Sequence, residues 1–427
     1  MSLNRHIKTL LLALALLCTG LCRAQQSVNV LFIGNSYTEV NDLPGMVQQI
    51  AASMGDQLTY QSNTPGGCTF SQHCTNRSME LICSGGWDVV VLQEQSQYPS
   101  FPQSQVEAEV FPYAARLVDS VYAHNPCCEP MFYMTWGRKN GDAVNAQYFS
   151  VLGTYEGMDS MLCERYTYMA QQNDASLCPV GRVWRYLREN HREIELYQPD
   201  ESHPSVAGTY AAACAFYVMF FHRDPAAITY SASLPDPAAH TIRSAVRSVV
   251  YESLPQWQRP RPQASLEAEI QDDGTVFFTA VPLLADSLTW CFGDGSDTTT
   301  SSALTTISHR YSATGTYTVS LIASRHCMTD TASVDVSVVV DDQEGIPKGT
   351  AEEVTVYPNP ACERLTVTTS ALPATATLIG LDGRLLSTFE IQHSTSEINV
   401  GNLPAGEYIL QINNPTGTLS RRVVVIK

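Results

Sequence analysis

The sequence predicts an α/β domain followed by two small antiparallel β-sandwich domains. In the first half of the chain, short β-branched runs alternate with longer amphipathic stretches, which is typical of a parallel sheet covered by helices. In the C-terminal part, the chain is rich in Thr, Ser and Val and alternates with a period of two, which indicates antiparallel strands. At 427 residues, the chain is also too long for one ordinary core. We therefore expect three folded domains.

Changes in composition place the predicted domain boundaries. Two segments rich in proline, glycine or acidic residues separate the folded regions, and their composition is that of linkers. The predicted division is a signal peptide at 1–24, the α/β domain at 25–255, a linker at 256–263, the first sandwich at 264–340, a linker at 341–353 and the second sandwich at 354–427.

The N-terminus has the pattern of a secretory signal peptide. Arg5 and Lys8 precede an apolar run, Leu10–Leu17, and a small-x-small site stands ahead of Gln25. The apolar run is shorter than the roughly 20 residues that a membrane span needs. We expect export, cleavage after Ala24, and no integral membrane span in the mature chain.

The charge and the cysteine content limit which partners and cofactors we expect. The formal net charge is −17, and loss of the signal peptide, which carries three basic residues and no acidic one, makes it −20. Such a chain is repelled by nucleic acid, so we expect no nucleic-acid partner. The 13 cysteines include no CxxC pair and no cysteine–histidine cluster with zinc spacing, so we expect no metal site and no other cofactor. The pairing of the cysteines stays open.

The elements of each domain follow from hydrophobic periodicity. Short apolar runs predict buried strands at Val28–Ile33, Val89–Leu92 and Met131–Thr135. Amphipathic stretches predict helices at Leu43–Met54, Val106–Tyr122 and Met158–Gln172. In the sandwiches, period-two alternation predicts strands at Thr316–Ala323, Leu365–Thr368, Ala376–Gly380, Tyr408–Ile412 and Arg422–Ile426.

A serine stands where the first predicted strand ends. Gly34 and Asn35 form a turn after the apolar run, and Ser36 follows it. Open α/β sheets bind their ligands at the carboxyl ends of the strands, and a helix that starts here would bring free backbone N–H groups to the serine oxygen. Ser36 is therefore a candidate nucleophile. Taken alone, a serine in this position is more often only a helix cap.

A carboxylate and a histidine lie three residues apart near the far end of the α/β domain. Asp200 is close enough in the chain to reach Nδ1 of His203 and leave Nε2 for a serine, as nucleophilic catalysis by serine requires. Pro204 is suited to begin the helix that we predict at Val206–Phe220. The alternative is a surface loop in which Asp200 caps that helix and His203 is a bystander.

Together, in this order, these motifs resemble the SGNH/GDSL hydrolase family, whose fold is a flavodoxin-like three-layer α/β domain. The resemblance covers roughly the first half of the chain. It rests on three blocks: Phe32–Thr38, Pro65–Thr69, and Asp200–Ser205 continued by Gly208 and Tyr210. It implies that Ser36 is the nucleophile and that His203 and Asp200 complete its triad. It also implies that the backbone N–H groups of Ser36 and Gly67 bind the oxyanion.

One block departs from the family pattern. The usual Gly-x-Asn-Asp is replaced by Gln93–Ser96, and Gln95 falls at the position of the oxyanion asparagine, with Gln93 as its rival. The substitution is similar to that in a bacterial branch of the family with a Gln-Glu-x-Ser block, and Thr135–Arg138 matches the Thr-Trp-Gly stretch of that branch. Glu94 is interpreted as a second acid or, more simply, as a buried hydrogen-bonding group.

The resemblance implies a secreted serine esterase that removes an acyl group, most simply acetyl, from an extracellular glycan or a similar small ester through an acyl-enzyme. Tyr37, His73, Trp136 and Arg138 are candidates for the substrate pocket, although a packing or surface role fits each of them at least as well. Two other functions stay open. One is a non-catalytic surface adhesin or glycan-binding protein, and the other is an acyltransferase that uses the same triad.

Two further resemblances concern the sandwiches. The first predicted sandwich resembles a PKD domain, which has an Ig-like fold, at Trp290–Gly295, His309–Tyr311 and Gly315–Tyr317. The second predicted sandwich resembles the type IX secretion sorting domain of Bacteroidota at Val356–Pro360, Leu381–Arg384 and Asn402–Tyr408. The second resemblance implies export through the periplasm and across the outer membrane by the type IX secretion machinery. It therefore implies a secreted or cell-surface protein.

Overall fold

The computed structural model of the chain describes residues 24–271, 273–340, 354–381, 383–415 and 417–427. The predicted signal peptide up to residue 23 and the predicted linker at 341–353 lie outside the described residues. The chain divides into two compact units, Met1–Val340 and Asp341–Lys427. None of the helices in the described part combines the length and apolar character that a membrane span requires.

The first unit is built on a five-stranded parallel sheet. Its strands are β1 Ser27–Ile33, β2 Gln57–Asn63, β3 Val89–Leu92, β4 Glu129–Tyr133 and β5 Ser176–Cys178, in the order β2-β1-β3-β4-β5. Every neighbouring pair is parallel, and Ile33 at the end of β1 pairs with Leu92 at the end of β3. The segments that follow these two strands therefore leave the sheet side by side. The third predicted strand lies two residues earlier than expected.

Twelve α-helices of the first unit connect and cover these strands in the described residues. They are α1 Ser36–Glu39, α2 Leu43–Ser53, α3 Phe70–His73, α4 Arg77–Ser84, α5 Gln103–Glu109, α6 Phe111–His124, α7 Ala143–Ala146, α8 Tyr155–Gln172, α9 Val180–Asn190, α10 Val206–Phe221, α11 Asp236–Val246 and α12 Leu254–Trp257. Short 3-10 turns occur at Tyr98–Ser100, Ser150–Gly153 and Pro225–Ala227, and a π-turn at Arg247–Tyr251. The helix predicted over 106–122 is divided between α5 and α6, because Pro112 has no N–H to donate to a preceding turn.

Two hydrophobic cores cover the two faces of the sheet. In β1, Val30 and Phe32 belong to one core, whereas Leu31 and Ile33 belong to the other. The first core is completed by α2, α9, α10 and α11, and the second by α4, α5, α6 and α8. Every residue of α10 except the first is buried. The predicted three-layer α/β domain is confirmed.

The next part of the first unit is an antiparallel sandwich. One sheet contains β6 Leu266–Ile270, β7 Thr275–Ala280 and β10 Thr306–Arg310. The other contains β8 Ser287–Cys291, β9 Asp297–Ser301, β11 Gly315–Arg325 and β12 Met328–Val338. Side chains from both sheets, among them Phe278, Trp290 and Leu321, form its core. The predicted first sandwich is confirmed.

The segment predicted as a linker between these two parts is packed rather than extended. Its first two residues belong to α12, and the Arg259 side chain is buried. The Arg259 backbone N–H donates to Ser176 Oγ at 2.8 Å, and its guanidinium donates to Tyr122 Oη at 3.1 Å. These contacts hold the segment against the α/β domain.

The tip of the β11–β12 hairpin joins the sandwich to the α/β domain. A disulfide connects Cys327 to Cys127, 200 residues earlier in the chain. Beside it, the His326 ring stacks on Tyr122 with 3.8 Å between ring centroids, and Arg325 forms an ion pair with Asp174. One covalent bond and two side-chain contacts thus fasten this hairpin near the start of β4.

The second unit is another antiparallel sandwich. One sheet contains β13 Thr355–Tyr357, β14 Arg364–Thr368 and β17 Thr395–Asn399, and the other contains β15 Ala374–Gly380, β16 Leu385–Ile391, β18 Gly406–Asn414 and β19 Gly417–Val425. Alternate residues such as Leu365, Val367 and Leu410 face the core between the sheets. The predicted second sandwich is confirmed, and each of its four predicted strands overlaps an observed one.

Candidate active site

The turn after β1 presents Ser36 at the carboxyl edge of the sheet. Gly34 lies so close to its neighbours that a Cβ there would stand 2.5 Å from Thr38 Oγ1 and 2.7 Å from Gln93 Oε1. Glycine is therefore needed at this position. Asn35 caps α1 by accepting the Tyr37 backbone N–H at 3.2 Å, which leaves the partly exposed Ser36 hydroxyl free for other contacts.

Ser36, His203 and Asp200 form one continuous hydrogen-bonded chain. Ser36 Oγ lies 2.9 Å from His203 Nε2, and His203 Nδ1 contacts Asp200 Oδ2. The other carboxylate oxygen, Asp200 Oδ1, accepts the backbone N–H groups of Ser202 and His203 at 3.1 and 3.0 Å. The His203 side chain is 32% exposed, so a ligand in solvent can reach it.

The carboxylate of Asp200 is held in its ionised form. Its partial burial acts to raise the pKa, but hydrogen bonds from the His203 side chain and from two backbone N–H groups outweigh burial and lower the pKa. The alternative in which Asp200 caps α10 does not occur, because Ser205 is the cap and accepts the Gly208 N–H at 3.2 Å. Asp200 is thereby left to orient the imidazole.

Tyr37 and Trp136 lie beneath the histidine loop rather than in an open pocket. Both side chains are buried, and their rings stack with 4.8 Å between centroids. Trp136 also stacks on Trp184 at 3.7 Å, and its Nε1–H donates to the Ser202 carbonyl oxygen at 3.1 Å. A fully buried ring has no surface to offer a substrate. We therefore reassign Tyr37 and Trp136 from substrate contact to support of the His203 loop.

Arg138 lies in a polar network at the edge of the site. Its Nη1 is 3.4 Å from Oδ1 of the buried Asp142, whose Oδ2 accepts from Gln97 Nε2 at 2.6 Å. Burial acts to raise the pKa of Asp142, but hydrogen bonds from Asn145 and Gln97 and the charge of Arg138 outweigh it and lower the pKa. The Arg138 side chain is 28% exposed, so it remains a candidate for contact with substrate.

Two backbone N–H groups near the serine donate to no acceptor in the described part of the chain. One belongs to Ser36, which is the first residue of α1 and so has no partner in the preceding turn. The other belongs to Gly67, an exposed residue with φ of +66°, which is the left-handed conformation that favours glycine. Both N–H groups are therefore available to an oxyanion.

The two glutamines of the Gln93–Ser96 block have different surroundings in the structure. The Gln93 side chain is fully buried: its Oε1 accepts from Asn35 N at 3.0 Å and Thr38 Oγ1 at 2.9 Å, and its Nε2 donates to Asn35 Oδ1 and to the Glu94 carbonyl. Gln93 thus stabilises the turn before Ser36, with all of its amide groups hydrogen-bonded. Gln95 is partly exposed and donates one N–H to Gln97 Oε1 at 3.2 Å. Of the two, Gln95 keeps an N–H for a ligand.

His73, a candidate for the substrate pocket from the sequence, is instead a fully buried supporting residue. Its buried ring donates from Nε2 to the Gly34 carbonyl at 2.9 Å, so Nδ1 of the neutral ring accepts from Ser78 Oγ at 2.7 Å. Burial lowers the pKa of His73 to about 4, although its hydrogen bonds act in the opposite direction. A neutral histidine therefore holds the carbonyl of Gly34 in the turn before Ser36. No local pattern around residue 73 signals this contact.

Comparison with family models identifies both sandwiches. The model of the secretion system C-terminal sorting domain matches residues 355–427, and that of the PKD domain matches residues 257–340. The chain carries a PKD domain and a type IX secretion sorting domain. The sorting domain implies interaction with the type IX secretion machinery and a secreted or cell-surface location, as the sequence predicted. The PKD match begins inside the segment predicted as a linker.

Comparison with solved structures finds proteins similar to about half of the chain, among them the following three. A DUF4886 family protein from Bacteroides uniformis is 16% identical, with a TM-score of 0.46 over 52% of this chain and 94% of its own. A candidate SGNH hydrolase from Slackia heliotrinireducens is 25% identical, with a TM-score of 0.38 over 45% and 97%. A candidate GDSL-like lipase from Parabacteroides merdae is 11% identical, with a TM-score of 0.34 over 45% and 95%. No curated protein matches the sequence.

Proposed function

We propose that this protein is a secreted serine hydrolase that cleaves an ester bond in an extracellular substrate. The observation that carries the proposal is the hydrogen-bonded chain from Ser36 through His203 to Asp200, with 2.9 Å between the serine oxygen and the imidazole. A serine hydroxyl needs a base within hydrogen-bond reach to take its proton, and that base needs an anion to fix its tautomer. All three groups are present in the required order.

The proposed reaction has two stages. Ser36 Oγ attacks the carbonyl carbon of the ester and passes its proton to His203 Nε2, while Asp200 stabilises the resulting imidazolium. The tetrahedral intermediate then breaks its bond to the leaving alcohol, which takes the proton from His203. In the second stage, water attacks the acyl-enzyme and gives a proton to His203, which returns it to Ser36 as the free acid leaves.

The negative charge of each tetrahedral intermediate needs hydrogen-bond donors that are already in place. We assign this role to the unengaged backbone N–H groups of Ser36 and Gly67 and to the side-chain amide of Gln95. The first lies on the nucleophile itself. The other two lie on segments that adjoin the turn of Ser36 through hydrogen bonds of Asn35.

We propose that the group removed is a small acyl group, such as acetyl on a glycan. The stacked rings of Tyr37, Trp136 and Trp184 fill the space beneath the His203 loop, which favours a short acyl chain over a long one. The secreted or cell-surface location favours an extracellular ester. Arg138 at the edge of the site is proposed to contact the leaving group.

The test compares the mature wild-type protein with Ser36→Ala on p-nitrophenyl esters of increasing acyl length and on acetylated glycans. We expect the wild type to release acetate and Ser36→Ala to release none, and an alkyl fluorophosphonate to label only the wild type. Ser53→Ala, at the end of α2, is the matched control and should retain full activity. Undiminished hydrolysis by Ser36→Ala would reject the proposal.

The same experiment decides between the other two functions. A wild-type protein that neither turns over any ester nor reacts with the fluorophosphonate would indicate an adhesin. An acyl-enzyme that transfers its acetyl group to an added sugar faster than to water would indicate an acyltransferase, and product analysis by mass spectrometry would detect the acetylated sugar.

A further inference from the structure

Glu94 is a buried acidic residue that the proposed mechanism leaves without a role. Its side chain is fully buried next to the segments that carry the proposed oxyanion donors. Both carboxyl oxygens accept the Phe70 backbone N–H, at 3.0 and 3.1 Å, and Oε1 also accepts the Gln95 N–H at 2.6 Å. Phe70 lies three residues after Gly67, so one carboxyl group connects the Gly67 segment to the Gln95 segment.

The backbone of the same residue reaches the nucleophile turn. The Glu94 carbonyl oxygen accepts from Asn35 Nδ2 at 3.3 Å, and Asn35 Nδ2 also donates to the Cys68 carbonyl at 3.1 Å. Asn35 directly precedes Ser36. The three segments with proposed oxyanion donors therefore converge on Glu94, and each is attached to it by at least one hydrogen bond.

No basic side chain in the described residues forms an ion pair with Glu94. The titratable groups that face it are Tyr166 on α8, whose hydroxyl oxygen accepts the Glu94 N–H at 3.3 Å, and the thiols of Cys68 and Cys74. Burial raises the pKa of Glu94 to about 8, although the N–H groups of Gln95 and Phe70 act in the opposite direction. The carboxyl is therefore mostly uncharged at neutral pH.

We propose that Glu94 is a positioning residue of the hydrolase, whose carboxyl group holds the Gly67 and Gln95 segments in register with Ser36. The inference rests on the proposed function. In the uncharged form, Oε1 as the carbonyl oxygen accepts the N–H groups of both Gln95 and Phe70, and no negative charge stands beside the developing oxyanion. An ionised carboxylate, buried beside the segments that carry the proposed donors, would repel the oxyanion.

Two variants separate the hydrogen bonds of Glu94 from its charge. Glu94→Gln keeps the shape and one acceptor oxygen but never ionises, whereas Glu94→Leu fills a similar volume and accepts no hydrogen bond. We expect Glu94→Gln to keep most of the wild-type kcat at pH 7, and Glu94→Leu to lose about 100-fold in kcat with little change in KM, as when an oxyanion donor is lost. Wild-type turnover by Glu94→Leu would overturn the proposal.

The pH profile gives a readout that a purely structural residue would not change. For the wild type, kcat/KM should fall as pH rises through about 8, because the carboxyl of the free enzyme then ionises. In Glu94→Gln this alkaline decline should be absent, and its persistence in that variant would overturn the proposal. The comparison of pH profiles still tests the proposal if Glu94→Leu does not fold.

Two controls keep this inference separate from the proposed function. Glu80→Gln and Glu80→Leu change an exposed glutamate on α4 and should leave kcat and the pH profile unaltered. Labelling of Ser36 by an alkyl fluorophosphonate, absent in Ser36→Ala, reports on the proposed function alone. Labelled wild type with unchanged Glu94 variants would reject only the role of Glu94.

Discussion

The hydroxyl oxygen of Tyr37 lies 2.7 Å from Ser202 Oγ, although 165 residues separate them in the chain. Tyr37 follows Ser36, and Ser202 precedes His203. The hydrogen bond therefore joins the turn that carries the proposed nucleophile to the loop that carries the proposed base. The Tyr37 ring also meets the His203 ring edge-on, with 5.4 Å between centroids. This pair adds to the contacts of His203 with Asp200 and Ser36, and we expect it to help position the imidazole.

Tyr37→Phe removes this hydrogen bond and keeps the ring stacked on Trp136. A hydrogen bond of this kind contributes ~1 kcal/mol, so we expect kcat to fall about fivefold. Ser202→Ala should cause a similar loss, and the double variant should lose little more than either single variant. Tyr148→Phe, at a residue that is 82% exposed, is the matched control. Fully additive losses would contradict the coupling.

Asp200→Asn should leave the fold intact and nearly abolish turnover. An amide at this position cannot stabilise the imidazolium and favours the wrong tautomer of His203, so we expect kcat to fall on the order of 10⁴-fold. Glu201→Gln is the control, because the Glu201 carboxylate bonds to Asn140 instead of the histidine. Steady-state kinetics with circular dichroism for both variants checks this. Similar kinetics of the two variants would argue against the triad.

Gln95→Ala and Gln93→Ala should have different effects on catalysis and on thermal stability. Loss of one oxyanion donor costs ~3 kcal/mol of transition-state stabilisation, so Gln95→Ala should lower kcat about 100-fold. Its thermal midpoint should fall less than that of Gln93→Ala, because Gln95 is partly exposed and water can replace Oε1 as acceptor for the Gln97 and Tyr98 N–H groups. Gln93→Ala removes the buried amide that bonds to Asn35 in the turn before Ser36. It should therefore lower both kcat and the thermal midpoint. Calorimetry and kinetics together separate the two effects. A Gln95→Ala variant with full activity would remove Gln95 from the oxyanion site.

The neutral state of His73 should make stability depend on pH. Its pKa is about 4 in the folded protein, against 6.5 in the unfolded chain, so between these values the unfolded state binds more protons. The free energy of unfolding should therefore fall as pH drops from about 6.5 towards 4, by up to ~3 kcal/mol from this residue. Urea titrations should show a weaker pH dependence in His73→Gln. The exposed His240→Gln should behave as the wild type.

The Cys127–Cys327 disulfide should stabilise the first unit without affecting chemistry. It closes a loop of 200 residues, and replacing both cysteines with serine should cost about 2–4 kcal/mol of unfolding free energy. Cys127 precedes β4, at the amino ends of the parallel strands, whereas the proposed triad lies at their carboxyl ends. We therefore expect kcat below the melting temperature to be unchanged. Cys362→Ser, at an exposed free cysteine, is the control. Equal thermal midpoints with and without reductant would show that the bond contributes nothing.

Several features of the site could be predicted because they depend on neighbouring residues. The strand that ends at Ile33, the glycine turn before Ser36 and the three-residue spacing of Asp200 and His203 are local patterns. Their geometry is largely set by backbone sterics and short-range hydrogen bonds. The strand bounds shifted by at most two residues at the third strand. The Asp200–His203 contact is likewise within reach of a single loop.

Other features depend on which distant segments the sheet brings together. The sequence alone determined the classes of the domains, the presence of a secretion sorting domain, and the candidate serine, acid and base. Only the tertiary structure decided that His203 meets Ser36 across 167 residues, that Trp136 is buried, that Gln93 is fully engaged and that Cys127 pairs with Cys327. The physical reason is that such contacts follow from strand order and packing, which no short stretch of sequence contains.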